Sequence, residues 1–198
     1  MKNSLKFIVS ALPFLVVFTA NTFFPSRPAL GNRDTNIVEI LQLKSLIETI
    51  GEGRVRHPLM LATVIFEDCK KHRMDPFLIL AVIQTESSFR ARVSSSKGAR
   101  GLMQIMLPTG KEIARKLKWK KFVEKDLLDP VKNVRMGIYY LSKLKKRFNE
   151  KIFFLTAYNN GAARLKRTLR ATPKADLQFT YAKSVLMNYA QLKYKSEK

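Results

Sequence analysis

Beyond residue 31, apolar residues recur at helical spacing, three or four positions apart. Between 37 and 50 they stand at 37, 40, 41, 43, 46, 47 and 50, before a break at Gly51-Glu52-Gly53. This spacing is typical of one face of an amphipathic helix that ends at glycine. No segment shows the sustained alternation of apolar and polar residues that indicates a half-buried strand. The pattern therefore predicts an all-α, mainly helical domain.

Two helices are predicted to begin at Asp-Pro pairs. Asp75-Pro76 and Asp129-Pro130 each place an N-cap side chain directly before a proline in the first helical turn. These pairs predict helices over 76–87 and 130–147. The other predicted helices are less sharply bounded, at 37–50, 58–71, 110–118 with Thr109 as N-cap, 152–158, 162–169 and 180–193. Pro173 interrupts the chain before the last one.

The helix predicted at 76–87 is apolar on nearly every face and carries one acid near its end. Leu78 to Ile83 is an unbroken apolar run, and Glu86 follows it by three positions. A carboxyl at the end of such a helix meets a low dielectric on one side, which raises its pKa. Glu86 is therefore a candidate general acid, and an ion pair with Arg90 or Arg92 is the structural alternative. After this helix, a loop with three serines and two glycines is predicted at 93–101.

Residues 1–31 have the features of an export segment. Lys2 and Lys6 precede an uncharged, mostly apolar run over 7–24, and small residues stand at the −3 and −1 positions of a cleavage site after Gly31. This pattern predicts a secretory signal peptide. The alternative is an uncleaved membrane anchor at 7–24, a run that barely reaches the length of a membrane span. Either interpretation places the rest of the chain outside the cytoplasm, in the periplasm or cell envelope.

The charge balance indicates a polyanionic partner. The 198 residues include 37 Lys and Arg against 15 Asp and Glu, a formal net charge of +22. Such an excess favours an acidic polymer, nucleic acid or an anionic membrane surface as the partner. Contact with a membrane would be peripheral or would be made through the anchor. No nucleic-acid recognition motif is present, so no specific nucleic-acid binding is expected. The two histidines lie far from any cysteine pair, and we expect neither a metal site nor a cofactor. The single cysteine, Cys69, is predicted to be a buried thiol.

The acid at position 86 stands alone in its part of the sequence. Between Thr85 and Lys111 it is the only Asp or Glu, whereas most glycosidases use two carboxylates. A single-acid mechanism needs the substrate to supply the second group, and an N-acetyl carbonyl beside the anomeric carbon can do so. This favours an N-acetylated aminosugar polymer as the substrate.

Four strings give the chain a family resemblance. They are AVIQTESSF around Glu86, SSSKGARGLMQIM, LLDPVKNVRMGIYYLSKL and FFLTAYNNGAARL. Their order and spacing resemble the SLT-type lytic transglycosylase domain of bacterial cell-wall enzymes, which has a lysozyme-like fold with a two-lobed cleft. The resemblance implies an SLT domain at 58–198, preceded by a helical extension at 32–57, and peptidoglycan as the partner.

The resemblance also implies roles for individual residues. Glu86 would protonate the bond between N-acetylmuramic acid and N-acetylglucosamine and then act as a base, giving a 1,6-anhydro product. Ser95 would lie near the acetamido group of the sugar, with Ser94 and Ser96 as alternatives. Tyr158 would hydrogen-bond Glu86 or the sugar. The remaining implied substrate-binding residues are Met103 and Gln104, which would line the cleft, and Asn159, which would support the Tyr158 loop.

Two departures from the family pattern are visible, and other functions stay open. Leu107-Pro108 moves a proline by one position. Leu177 stands four residues before Tyr181, where many relatives carry a Glu-Thr pair, so no secondary carboxylate is expected in the cleft. A lysozyme-like hydrolase with the same acid is the nearest alternative. A non-catalytic wall-binding or wall-remodelling component of a trans-envelope machine is another. The absence of a heptad pattern predicts a monomer.

Overall fold

Helices make up most of the part of the chain that the computed structural model describes, residues 32–172 and 178–196. The predicted signal or anchor at 1–31, Pro173 and Leu177 lie outside these ranges. Within them the helices are α1 Asn32–Gly51, α2 Pro58–His72, α3 Pro76–Ser87, α4 Leu107–Lys116, α5 Pro130–Phe148, α6 Lys151–Asn160, α7 Ala162–Ala171 and α8 Thr180–Ser196. A 3₁₀ helix, Glu124–Leu128, lies between α4 and α5. The predicted all-α fold is confirmed.

The two Asp-Pro pairs start helices as predicted. Asp75 accepts a hydrogen bond from the Phe77 backbone N–H at 2.9 Å. Asp129 accepts one from the Lys132 backbone N–H at 2.8 Å. Each carboxylate therefore satisfies a backbone donor that the first helical turn leaves without an intrahelical partner.

Two predicted features differ in the structure. Helix α4 begins at Leu107, so the prediction of Thr109 as its N-cap is wrong; Pro108 occupies the first turn, where its missing N–H costs nothing. Two short strands, β1 Ala99–Arg100 and β2 Ile105–Met106, pair antiparallel. β1 lies in the predicted loop at 93–101, and no strand was predicted at either position. Each strand has two residues, which is too short to produce an alternating sequence pattern.

Helix α3 lies in the middle of the core. All six residues from Leu78 to Ile83 are at most 2% exposed, which explains why the sequence is apolar on every face of this helix. Helix α8 makes the most extensive packing against α3, and α1 and α2 also contact it. The core therefore fixes the helix that carries Glu86 from several directions.

The N-terminal extension belongs to the same compact unit, which spans residues 31–198. Leu43, Leu46 and Ile47 of α1 are buried, and the Gln42 side chain donates a hydrogen bond to the Ser196 carbonyl at 2.9 Å. Cys69 is buried as predicted, and burial raises the pKa of its thiol. Across 32–172 and 178–196, no helix combines the length and apolar composition needed to cross a membrane.

Candidate active site

Glu86 is half-buried at the last turn of α3. Its carboxylate accepts a hydrogen bond from the Tyr181 hydroxyl, with 2.7 Å between Oη and Oε1. Burial raises the pKa of Glu86, and the Tyr181 hydrogen bond opposes that rise by stabilising the ionised form. The raised pKa suits a carboxyl that donates a proton near neutral pH. Neither Arg90 nor Arg92 pairs with it among the described residues, which removes the predicted structural alternative.

Tyr181 is held in place by side-chain hydrogen bonds that join α8 to both ends of α3. The Asn188 side chain donates to the Thr85 hydroxyl at 3.0 Å, one residue before Glu86. The Tyr189 hydroxyl donates to Asp75 at 2.6 Å, at the opposite end of α3. These side-chain contacts fix the register between the two helices and therefore the position of Tyr181 over Glu86.

Tyr158 lies near Glu86 but uses its hydroxyl elsewhere. Its Oη donates to the Met103 carbonyl at 2.7 Å, and its ring packs on Tyr140 with centroids 5.5 Å apart. Burial raises the pKa of Tyr158, and the neighbouring Glu86 charge raises it further. The tyrosine that hydrogen-bonds Glu86 in this structure is Tyr181, so the first of the two predicted partners of Tyr158 is wrong. A contact between Tyr158 and the sugar stays a prediction.

The turn at 101–104 is built on Asn133 of α5. The Asn133 amide accepts from the Met103 N–H at 2.7 Å and donates to the Arg100 and Leu127 carbonyls, both at 2.8 Å. Gly101 has φ +79°, and a Cβ there would overlap the Leu127 carbonyl and the Asn133 amide. Glycine at position 101 is therefore needed for close packing as well as for the turn.

The turn is also tied to the end of α3. The Ser87 hydroxyl donates to the Leu102 carbonyl at 2.9 Å, directly beside Glu86. Met103 is fully buried, and a Cβ at Gly137 would overlap its thioether. The predicted cleft-lining role of Met103 is therefore wrong for this structure. Met106 is 40% exposed and is the methionine of the LMQIM string that a ligand can reach.

Gln104, Ser95 and Asn159 occupy three different settings. Gln104 has φ +47°, and its side chain donates to the carbonyls of Gly101 at 2.8 Å and Val93 at 3.3 Å. Ser95 is exposed, and its hydroxyl accepts from the Ala99 N–H at 3.0 Å within the turn before β1. Asn159 is exposed near the end of α6. The structure brings Tyr158 and the 101–104 turn together beside Glu86, whereas no described contact joins Ser95 or Asn159 to it.

A family model, Transglycosylase SLT domain, matches residues 63–178, more than half of the chain. The chain belongs to the SLT family. The resemblance inferred from the four strings is thereby confirmed, and the matched segment contains Glu86, the 101–104 turn and Tyr158. Tyr181 lies just beyond its end.

Curated relatives of this SLT domain are named membrane-bound lytic murein transglycosylase C. The protein from Edwardsiella ictaluri is 37% identical over 108 residues, and the protein from Serratia proteamaculans is 35% identical over 108 residues. Each match covers 50% of this chain and 30% of the relative. The matched segment therefore corresponds to less than a third of the length of these relatives.

Solved structures share the fold. An inactive mutant of lytic transglycosylase Slt from Pseudomonas aeruginosa matches with a TM-score of 0.63 and 25% identity, covering 85% of this chain and 31% of that one. A 70-kDa soluble lytic transglycosylase in complex with bulgecin A matches with a TM-score of 0.63 and 22% identity, covering 81% of this chain and 31% of that one. The helical fold predicted from the family resemblance is confirmed.

Two residues of this SLT site, Tyr181 and Asn133, were not predicted as site residues from the sequence. Tyr181 comes 95 positions after Glu86, and no local motif links it to that acid. Asn133 carries a weak signal, because it is a polar residue on a helical face shared with Gly137 and Leu141. Asn133 is fully buried, and burying an amide requires partners for its hydrogen-bonding groups.

The electrostatics around Glu86 are those of a single acid. The pKa of Glu86 is shifted by burial and by Tyr181, without a contribution from another carboxylate among the described residues. In the same described ranges, no group of three or more His, Cys, Asp or Glu side chains converges as a metal site would require. The arrangement can deliver one proton from Glu86 and take one back at the same oxygen atoms.

Proposed function

We propose that this chain is the catalytic domain of an exported lytic transglycosylase that cleaves peptidoglycan. The observation that carries the proposal is Glu86 itself, a half-buried carboxyl with a raised pKa, held by Tyr181 at the end of a buried helix. The names of the SLT relatives support the reaction and the murein substrate. The predicted export segment supports a location in the cell envelope.

Glu86 acts first as the general acid. In its protonated form it donates a proton to the oxygen that links N-acetylmuramic acid to N-acetylglucosamine, and the bond from C1 to that oxygen breaks. The acetamido carbonyl of the N-acetylmuramic acid stabilises the positive charge that develops at C1 of that sugar. A second protein carboxylate is then not required.

Glu86 acts next as the general base. It takes the proton of the muramoyl 6-hydroxyl, whose oxygen attacks C1 and closes a 1,6-anhydro ring. Glu86 regains the proton that it donated, and no water is consumed. The Tyr181 hydrogen bond stabilises the ionised form between the two steps, whereas burial favours the protonated form that starts the cycle.

The substrate strand is proposed to lie across the exposed edge of Glu86, with Met106 and Gln104 on one wall. Met106 offers an exposed apolar surface, and the backbone at Gln104 is fixed by its own side-chain hydrogen bonds. Ser95 and Asn159 remain candidate substrate contacts that a bound strand could reach. The excess positive charge would retain the enzyme on a wall whose peptides carry free carboxylates, an attraction that salt weakens.

The test is mass analysis of the soluble fragments released from purified peptidoglycan. Fragments ending in 1,6-anhydromuramic acid are expected with the wild type and none with Glu86→Gln; the glutamate-to-glutamine change in the Slt mutant described as inactive supports this choice. Glu67→Gln, an exposed acid of α2, is the matched control and should behave as the wild type. Reducing ends would assign the protein to the hydrolases. No fragments from either form would favour a wall-binding component.

A further inference from the structure

Cations are clustered where α2 ends and where α5 is followed by α6. The members are exposed lysine and arginine side chains: Lys70, Lys71, Arg73, Lys143, Lys145, Lys146, Arg147 and Lys151. The two helix ends meet, because the Lys145 side chain donates a hydrogen bond to the Arg73 carbonyl at 2.8 Å. The rings of His72 and Tyr139 also lie 5.7 Å apart. These eight cations therefore share one surface, which we name the basic cluster.

The charge of the basic cluster is not neutralised within the described part of the chain. None of its members forms an ion pair with another described residue. The adjoining segments carry four exposed acids against the eight cations: Asp34, Glu39, Glu67 and Glu150. Burial lowers the pKa of His72, and the charges of lysines in the cluster lower it further against the opposing charge of Asp68. The surface therefore keeps a net positive charge that an anionic partner would neutralise.

Exposed apolar side chains adjoin the basic cluster at the start of α1. The Lys70 ammonium lies 3.4 Å from the side-chain oxygen of Asn36, so α1 begins beside the end of α2. Within the next five residues, Ile37, Val38 and Leu41 are 56%, 53% and 51% exposed. Large apolar side chains exposed next to unpaired lysines are typical of a surface that lies in the interface of a membrane.

This end of the domain is opposite to the candidate active site. Arg73 lies two residues before Asp75, the N-cap of α3, whereas Glu86 is in the last turn of that helix. A rise of about 1.5 Å per residue separates the two ends of α3 by about 15 Å. Residues 1–31, which contain the uncharged run over 7–24, are joined to the start of α1, beside the basic cluster. If that run is retained as an anchor, the membrane lies at this end of the domain and not at Glu86.

We propose that the basic cluster and the exposed apolar side chains of α1 dock the domain on an anionic phospholipid surface, with Glu86 turned away from the lipid. The inference goes beyond the proposed function and does not depend on cleavage by Glu86. The negative potential of such a surface attracts lysine and arginine side chains, and apolar side chains enter the boundary between headgroups and acyl chains. A nucleic acid would use the cations and leave the apolar side chains in water. The combination of the two therefore favours a membrane.

The test places an environment-sensitive fluorophore on the proposed contact in the full chain. The label is attached to Val38→Cys, and Cys69, the one native cysteine, is buried and does not compete for it. Vesicles of phosphatidylcholine alone are compared with vesicles of phosphatidylcholine mixed with phosphatidylglycerol. A blue shift of the emission is expected with the mixed vesicles, and added salt should reduce it. The same label on Ala163→Cys, at an exposed position of α7, is the control and should not shift.

Two double variants of the labelled protein separate this surface from a general effect of charge. Lys71→Gln/Lys146→Gln removes two cations of the basic cluster and is expected to lose most of the shift. Lys116→Gln/Lys166→Gln removes the same charge from exposed positions of α4 and α7 and should keep it. Absence of a shift on the mixed vesicles, an equal shift on phosphatidylcholine alone or at the control label, or equal losses in the two double variants would overturn the proposal.

Binding to a DNA duplex is measured on the same proteins. A loss of duplex affinity in Lys71→Gln/Lys146→Gln, with no shift on any vesicle, would assign the basic cluster to nucleic acid and overturn the membrane proposal. No peptidoglycan is present in these measurements. Their failure would therefore leave the proposed cleavage reaction unaffected, and a protein that cleaves no strand would still show the shift.

Discussion

The Tyr181 hydroxyl lies 2.7 Å from the Glu86 carboxylate and donates a hydrogen bond to it. The two residues are on α8 and α3, helices that pack against each other although these residues are 95 positions apart in the sequence. Burial favours the protonated carboxyl and the hydrogen bond favours the ionised one, so the two effects act on the pKa of Glu86 in opposite directions. The balance between the hydrogen bond and the burial of the carboxyl sets the pH range over which Glu86 holds its proton.

Replacing Tyr181 by phenylalanine is expected to raise the pKa of Glu86 further. Burial remains, whereas the hydrogen bond that stabilises the carboxylate is lost. Because the reaction starts from protonated Glu86, the alkaline limb of the pH profile should move to higher pH. The maximal kcat should fall about tenfold, because the ionised form between the two steps is less stable without the hydrogen bond. The measurement is the pH dependence of anhydro-product formation.

The matched control for that experiment is Tyr189→Phe. Tyr189 is also on α8 and also donates to a carboxylate of the α3 region, Asp75, at 2.6 Å. Its removal should lower stability and move the pH profile much less than Tyr181→Phe, because the hydrogen bond between Asn188 and Thr85 still holds the helix register. If both variants move the profile equally, Tyr181 acts only by holding α8 on α3.

Glu86→Gln is expected to stabilise the folded protein at neutral pH. A buried carboxyl whose folded pKa is raised destabilises the folded state once it ionises. This penalty is fully present above the folded pKa and absent below the unfolded pKa of about 4.3. The Tm difference between variant and wild type should therefore be close to zero near pH 4 and grow as the pH rises through the folded pKa of Glu86.

The exposed acid Glu67 provides the comparison for stability as well. Glu67→Gln should leave the Tm close to that of the wild type, because its side chain is exposed. Thermal unfolding of the three proteins across this pH range is the measurement. A Glu86→Gln protein that is less stable than the wild type at pH 7 would contradict the prediction.

Local sequence signals predicted the parts of the site that depend on neighbouring residues. Asp75-Pro76 marked the start of α3, and the apolar run placed Glu86 at its buried end. The partners of Glu86 and of the turn could not be found this way, because Tyr181 and Asn133 are brought in by packing between distant helices. Met103 and Met106 are three residues apart, and only the turn geometry decides which one is buried.

Asn133→Ala is expected to cost about 3–5 kcal/mol of unfolding free energy. The substitution leaves the Met103 N–H and the Arg100 and Leu127 carbonyls without their buried partner. Asn188→Ala is the control, because that side chain makes one partly buried hydrogen bond and should cost about 1 kcal/mol. Urea unfolding measures both, and equal losses would show that Asn133 does not hold the turn.

The glycines of the loop after α3 should respond very differently to alanine. Gly101 and Gly98 both have positive φ, +79° and +82°, so each substitution carries the backbone cost of about 1–2 kcal/mol. Around Gly98 there is open space, whereas a Cβ at Gly101 would overlap the Leu127 carbonyl and the Asn133 amide. Gly98→Ala should therefore lose only the backbone cost, and Gly101→Ala more than about 4 kcal/mol. Urea unfolding of the two variants distinguishes the cost of steric overlap from the cost of a positive φ. Equal losses of unfolding free energy would mean that the positive φ alone requires glycine at both positions.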